Sequence, residues 1–142
     1  MPRILTEPNP VLRQRSKEVN LASIGSPELA KNIKNMKSAL AASQNGIGIA
    51  APQIGIPLRV FIVSEEAKFI EDPKRQERKN WTQYVYINPV IKKFSGKKTE
   101  AVEGCLSAPG KYGIVRRPEK VEVEAYDENG KKITHGASKF FA

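Results

Sequence analysis

The sequence predicts an α+β fold in which antiparallel strands pack around helices, and three observations carry that prediction. One segment repeats apolar residues at helical spacing, several others run apolar or alternate at strand length, and turn chemistry joins the last two strands as a hairpin. At 142 residues the chain suits one domain, 1–142, with a single modest core. Hydrophobic residues at 39% and charged residues at 27% place it among folded soluble chains and exclude a disordered one.

The first 25 residues mix turn formers with short apolar pieces, as in Pro8-Asn9-Pro10-Val11-Leu12, and predict an extended arm with at most a short helical turn. Ser26-Pro27-Glu28 then supplies an N-cap, a proline tolerated in a first helical turn, and an acid at the positive helix end. Leu29, Ile33, Met36 and Leu40 follow on one face, so the spacing predicts an amphipathic helix from about Pro27 to Gln44, with Met36 in the core. Asn45-Gly46 is read as its end.

Val60–Val63 reads as a buried strand, and the polar stretch from Glu65 to Asn80 as a surface loop or insertion. Trp81–Ile87 and Val90–Phe94 read as strands separated by a turn at Asn88-Pro89. Val121–Tyr126 alternates with period two, and Asp127-Glu128-Asn129-Gly130 turns the chain back into a partner strand at Lys131–Thr134.

No run approaches the roughly 20 apolar residues of a membrane helix, and Met1-Pro2-Arg3-Ile4-Leu5 lacks a secretory core, so the expected location is the cytoplasm. The single cysteine, Cys105, excludes an internal disulfide. A net charge of +9 suits anionic partners. The basic residues are scattered without interleaved aromatics, however, and read as a solvated surface rather than a sequence-specific nucleic-acid site.

Two segments do not reduce to helix or sheet patterning. Gly46-Ile47-Gly48-Ile49-Ala50-Ala51-Pro52-Gln53 lets another backbone approach closely and ends in an amide that both donates and accepts. It lacks the Lys-Ser or Lys-Thr pair of a phosphate-binding loop. Glu103-Gly104-Cys105-Leu106-Ser107 carries the lone thiol, which on residue chemistry alone is a nucleophile, a metal ligand or a packed free cysteine.

Together, and in this order, the two segments resemble the first and second signatures of the peptide deformylases. The resemblance runs from Pro8-Asn9-Pro10-Val11-Leu12-Arg13 through Arg117-Pro118 to Phe140-Phe141-Ala142. It implies an enzyme that hydrolyses the formyl group from N-formylmethionyl nascent peptides with a metal, usually ferrous iron, zinc or nickel being possible. By position, Cys105 would be the metal ligand, with Gln53 and Leu106 as catalytic donors to the oxyanion, from side-chain amide and backbone N–H respectively. Gly46, Ile47 and Gly48 would line the peptide groove, joined by Glu103 and Gly104, with Glu103 pairing with Arg117. Phe140 falls where the family lines its methionine pocket.

In the family the other two ligands and the general base come from a helical His-Glu-x-x-His motif that lies beyond the position of Ala142, where this sequence ends. His135, the one histidine, stands in Thr134-His135-Gly136 and is read as a surface or turn residue rather than a substitute ligand. The expectation is therefore a deformylase-like domain without the motif helix, with apolar surface exposed near Cys105 and the 121–134 hairpin, and without deformylation by these residues alone. An incomplete sequence, a shortened relative that binds formyl-peptides or the ribosome without catalysis, and a second chain supplying the helix are the three explanations.

Overall fold

The computed structural model describes residues 2–44, 46–70, 72–74 and 80–138. Helix α1 spans Pro27–Ala42, and the Ser26 hydroxyl caps it by accepting from the Leu29 N–H at 3.3 Å. Its buried stripe is Leu29, Ile33, Met36, Ala39 and Leu40, which puts Met36 in the core. The helix stops short of the expected Gln44. Ser43 adopts extended backbone and its hydroxyl bonds the Leu40 carbonyl at 2.6 Å, a local bond that competes with continued helix.

Seven strands follow: β1 (Gly48–Ala50), β2 (Val60–Ser64), β3 (Gln83–Phe94), β4 (Lys98–Cys105), β5 (Ala108–Pro118), β6 (Lys120–Tyr126) and β7 (Lys132–Ser138). Five form one antiparallel sheet in the order β1-β2-β3-β6-β7, and β4 pairs with β5 as a separate two-stranded ribbon. The α1 stripe shares one core with Ile49, Val60, Ile62, Val85 and Ile87, which alternate along β1, β2 and β3 and so project to a single sheet face. Burying each such side chain contributes about 1.5–3 kcal/mol.

Several sequence expectations need correction. The segment read as a turn at Asn88-Pro89 lies inside one continuous strand, β3. Its register against β6 shifts between Ile87 and Val90, so Asn88 and Pro89 occupy a bulge, where the missing proline N–H costs no ladder bond. Asn88 sits at φ 51, which asparagine tolerates. Its side chain then acts as a strand neighbour: Oδ1 accepts from the Val19 N–H at 2.8 Å and Nδ2 donates to the Val19 carbonyl at 2.9 Å. This clip, with the parallel bridge from Lys17 to Leu58, lays the N-terminal arm along the sheet. The arm carries two short 3-10 turns, Pro10–Leu12 and Leu21–Ser23.

The final hairpin forms as expected, but β7 runs on to Ser138. His135 is consequently a half-buried strand residue, not a turn residue. Its Nδ1 lies 3.2 Å from the Tyr86 hydroxyl, on the sheet face where Phe61 stacks on Tyr86 with centroids 4.8 Å apart. The polar stretch after β2 opens with a 3-10 helix, Glu65–Phe69, whose Ala67 is buried and whose Phe69 stacks on Trp81. Among the described residues, the large apolar side chains left exposed include Ile91 and Phe94 on β3 beside β6, and Val102, Tyr112 and Ile114 on the ribbon.

Candidate active site

The first singled-out segment does contain regular structure. Gly48–Ala50 is β1, an edge strand, and Ala51–Ile54 is a 3-10 turn closed by Gly55 at φ 87. The Ser64 N–H donates to the Ile47 carbonyl at 2.7 Å, so Ile47 faces β2. Antiparallel ladders alternate their bonding direction, which turns the backbone groups of Gly48 toward the open edge. The 3-10 turn brings Gln53 back under β1, where its Oε1 accepts from the Ala50 N–H at 2.9 Å.

The second segment forms the tip of the ribbon. Cys105 pairs with Ala108 across a two-residue turn, Leu106-Ser107, after a register shift next to Gly104. Such irregular pairing re-aims a side chain, and the Cys105 thiol is exposed. Leu106 tucks against the edge of the core. The two segments touch through it: a Cβ on Gly46 would come 2.8 Å from Leu106 Cδ1 and would also crowd the Ser43 hydroxyl, so a larger residue there requires those side chains to shift. A Cβ on Gly104 would lie 2.9 Å from the Tyr112 ring.

Gln53 and Cys105, 52 residues apart, come side by side. Gln53 Nε2 lies 4.0 Å from Cys105 Sγ and donates to Ser107 Oγ at 3.1 Å. The N-terminal arm straps both halves, because the Leu5 N–H donates to the Gln53 carbonyl at 2.7 Å and the Glu7 N–H to the Ser107 carbonyl at 2.9 Å. Ser107 and this strap are the parts that sequence reasoning missed. Ser107 was visible as the last residue of the cysteine segment, whereas nothing in the arm's composition pointed to the site.

Glu103 pairs with Arg117 through three hydrogen bonds of 2.8 to 3.1 Å, lying further back along the ribbon. Those bonds push the Arg117 pKa upward against a smaller opposing effect of desolvation. Phe140 lies outside the described residues. His135 is engaged with Tyr86 and is not among the groups gathered around Cys105.

Comparison with known proteins gives the geometry a family. The family model described as polypeptide deformylase matches residues 1–142. The chain belongs to the polypeptide deformylase family. Peptide deformylase 1A, chloroplastic/mitochondrial, of Arabidopsis thaliana is 38% identical over 143 residues, covering 97% of this chain and 53% of that protein. The peptide deformylase of Pelagibacter ubique strain HTCC1062 is 40% identical over 129 residues, covering 91% of this chain and 67% of that protein. Against the tomato peptide deformylase 1A, too, the chain spans about half of the relative's length, 51%.

Among solved structures, the Met-Ala-Ser-bound class I type b peptide deformylase of Acinetobacter baumannii superposes with a TM-score of 0.84 at 29% identity, covering 98% of this chain and 84% of that one. A probable peptide deformylase from Synechococcus phage S-SSM7 gives 0.79 at 31% identity, covering 98% and 85%. The mostly antiparallel α+β architecture is thus the fold of this deformylase family.

Polypeptide deformylases are metalloenzymes that act on formylmethionyl nascent peptides. A catalytic zinc-like ion takes three protein ligands, and no cluster of three or more His, Cys, Asp or Glu that could hold one occurs among the described residues. Cys105 is a free, exposed cysteine. Among the described residues no helix is long and apolar enough to cross a membrane.

Proposed function

We propose that the chain supplies the cysteine-bearing half of a peptide deformylase centre that hydrolyses N-formylmethionyl peptides. The single observation that carries this reading is the Gln53 amide, fixed by the Ala50 N–H and directed into the space beside the Cys105 sulfur. Water adds to the formyl carbon, the C–N bond breaks, formate leaves, and the peptide's new amino group takes up a proton. As the carbonyl oxygen becomes an oxyanion, it needs preorganised donors, and Gln53 Nε2 and the Leu106 N–H are the two this chain offers. Fixed donors of this kind are typically worth about 10²–10³-fold in rate each.

The peptide enters as an added strand. β1 presents its open edge, and β1 and the ribbon belong to separate sheets, which leaves both the backbone at Gly46–Gly48 and that at Glu103–Gly104 as flanks for an extended substrate. The Acinetobacter relative binds Met-Ala-Ser, the kind of product this reaction leaves. Cys105 is the sulfur ligand for ferrous iron, with zinc or nickel as substitutes, alongside ligands other than those the described residues bring. The setting is the cytoplasm, where the net charge of +9 suits work close to ribosomal RNA.

The test is anaerobic formate release from an N-formyl-Met peptide with ferrous, nickel or zinc ion. Residues 1–142 alone are expected to release none, and the same residues supplied with a His-Glu-x-x-His segment are expected to turn over and to lose turnover on Cys105→Ala. Turnover by residues 1–142 alone that Cys105→Ala abolishes would show a complete centre within them. Salt-sensitive ribosome binding with no formate release from the supplemented protein would instead support a noncatalytic binding module.

A further inference from the structure

We infer that Ser107 is a positioning residue whose hydroxyl holds the Gln53 amide so that its remaining Nε2 proton points into the space beside Cys105, a role whose catalytic consequence rests on the deformylase reading. The orientation of the amide follows from its other end. The atom facing the Ala50 N–H at 2.9 Å must be an acceptor, so it is Oε1, and the atom facing the ribbon tip is Nε2. Nε2 carries two protons. One goes to Ser107 Oγ at 3.1 Å, and the other is directed toward Cys105 Sγ, 4.0 Å away, a long contact that leaves it available to a group bound beside the sulfur.

A serine in a hairpin turn ordinarily bonds its own neighbouring backbone. This one instead reaches across 54 residues to Gln53. Two further features make it a fixed acceptor: Ser107 is only 5% exposed, so water does not readily replace it, and its carbonyl is tied to the Glu7 N–H at 2.9 Å. Without the hydroxyl, the amide keeps its Ala50 bond but gains freedom to swing about it, and the donor loses its aim. Mispositioning a preorganised donor costs rate without costing affinity for the ground state.

The experiment uses ¹⁵N-labelled residues 1–142 and compares Ser107→Ala, which removes the acceptor without adding bulk, with Ser107→Thr, which keeps a hydroxyl. Hydrogen exchange at Gln53 Nε2 is expected to quicken about fivefold in Ser107→Ala, the loss of one hydrogen bond. The backbone N–H groups of Ala50 and Glu7 are expected to keep their protection, and Ser107→Thr is expected to restore slow exchange. Unchanged Gln53 exchange in Ser107→Ala would overturn the inference, as would collapse of Ala50 and Glu7 protection together with it, since that marks a general packing role.

In the protein supplied with a His-Glu-x-x-His segment, Ser107→Ala is expected to lower kcat about tenfold with KM unchanged, less than outright removal of a donor. A raised KM with unchanged kcat would contradict positioning. A wild-type protein that releases no formate would defeat the deformylase reading, while the exchange measurements would still decide whether Ser107 holds Gln53.

Discussion

Asn88 is where a backbone irregularity, the N-terminal arm and the stability of the site converge, and replacing it separates two energies. Asn88→Ala removes both bonds to Val19, at 2.8 and 2.9 Å, and strands a backbone N–H and a carbonyl on a residue only 5% exposed. Each orphaned group costs about 1–3 kcal/mol, and the low end applies because the clip is only partly buried. Alanine must also adopt the φ of 51 that asparagine tolerates, at roughly 1 kcal/mol. The total is about 3 kcal/mol. Asn88→Gly loses the same bonds without the φ cost, so it should lie about 1 kcal/mol above Asn88→Ala in stability. Urea unfolding of the three proteins, with a shared m-value, measures both differences. A loss under about 1 kcal/mol for Asn88→Ala, or equal losses for the two variants, would refute the clip and the φ argument respectively.

Two further outcomes follow from the core and the sheet. Met36→Ala, at a site 1% exposed, should cost about 2–5 kcal/mol in urea unfolding, and a loss under 1 would contradict its place at the centre of the core. Burial raises the Tyr86 pKa above its ordinary value of 10.0, with the neighbouring Tyr84 adding to the shift. The folded state therefore holds that proton longer than the unfolded state. Stability from this group is full below about pH 10 and falls as pH rises through the folded pKa. Tyr86→Phe should flatten that alkaline loss, and an unchanged slope in pH-dependent unfolding would show that Tyr86 does not cause it.

How much of this could be read from the sequence depends on what each segment buries. Helix α1 was legible because Leu29, Ile33, Met36 and Leu40 face one core and Ser26 caps them. The β6–β7 hairpin was legible through its turn residues, although Gly136 in β7 hid the continuation to Ser138. The β4–β5 ribbon gave no strand signal, since most of its residues are exposed and no buried face imposes alternation. Proline at position 89 signalled a turn because the bulge that accommodates it arises from pairing with β6, a strand distant in the chain.

The site was legible only by resemblance. No spacing rule links Gln53 to Cys105, which are brought together by the edge strand β1 and the ribbon tip. Gln53 and Cys105, singled out by the resemblance, do lie side by side, but it did not reveal the hydroxyl that accepts from Gln53 or the arm bonded to Gln53 and Ser107. Ser107 sits in a turn where serine is ordinary, and its role depends on a tertiary contact.

Titration of ¹⁵N-labelled residues 1–142 with the peptide Met-Ala-Ser bears most directly on whether the two segments make one peptide-binding cleft. Amide shifts are expected to concentrate at Gly46–Gly48 on one flank and Glu103–Leu106 on the other, with the Gln53 side chain moving alongside them. Shifts confined to one flank, or scattered over the outer face of α1, would contradict a shared cleft.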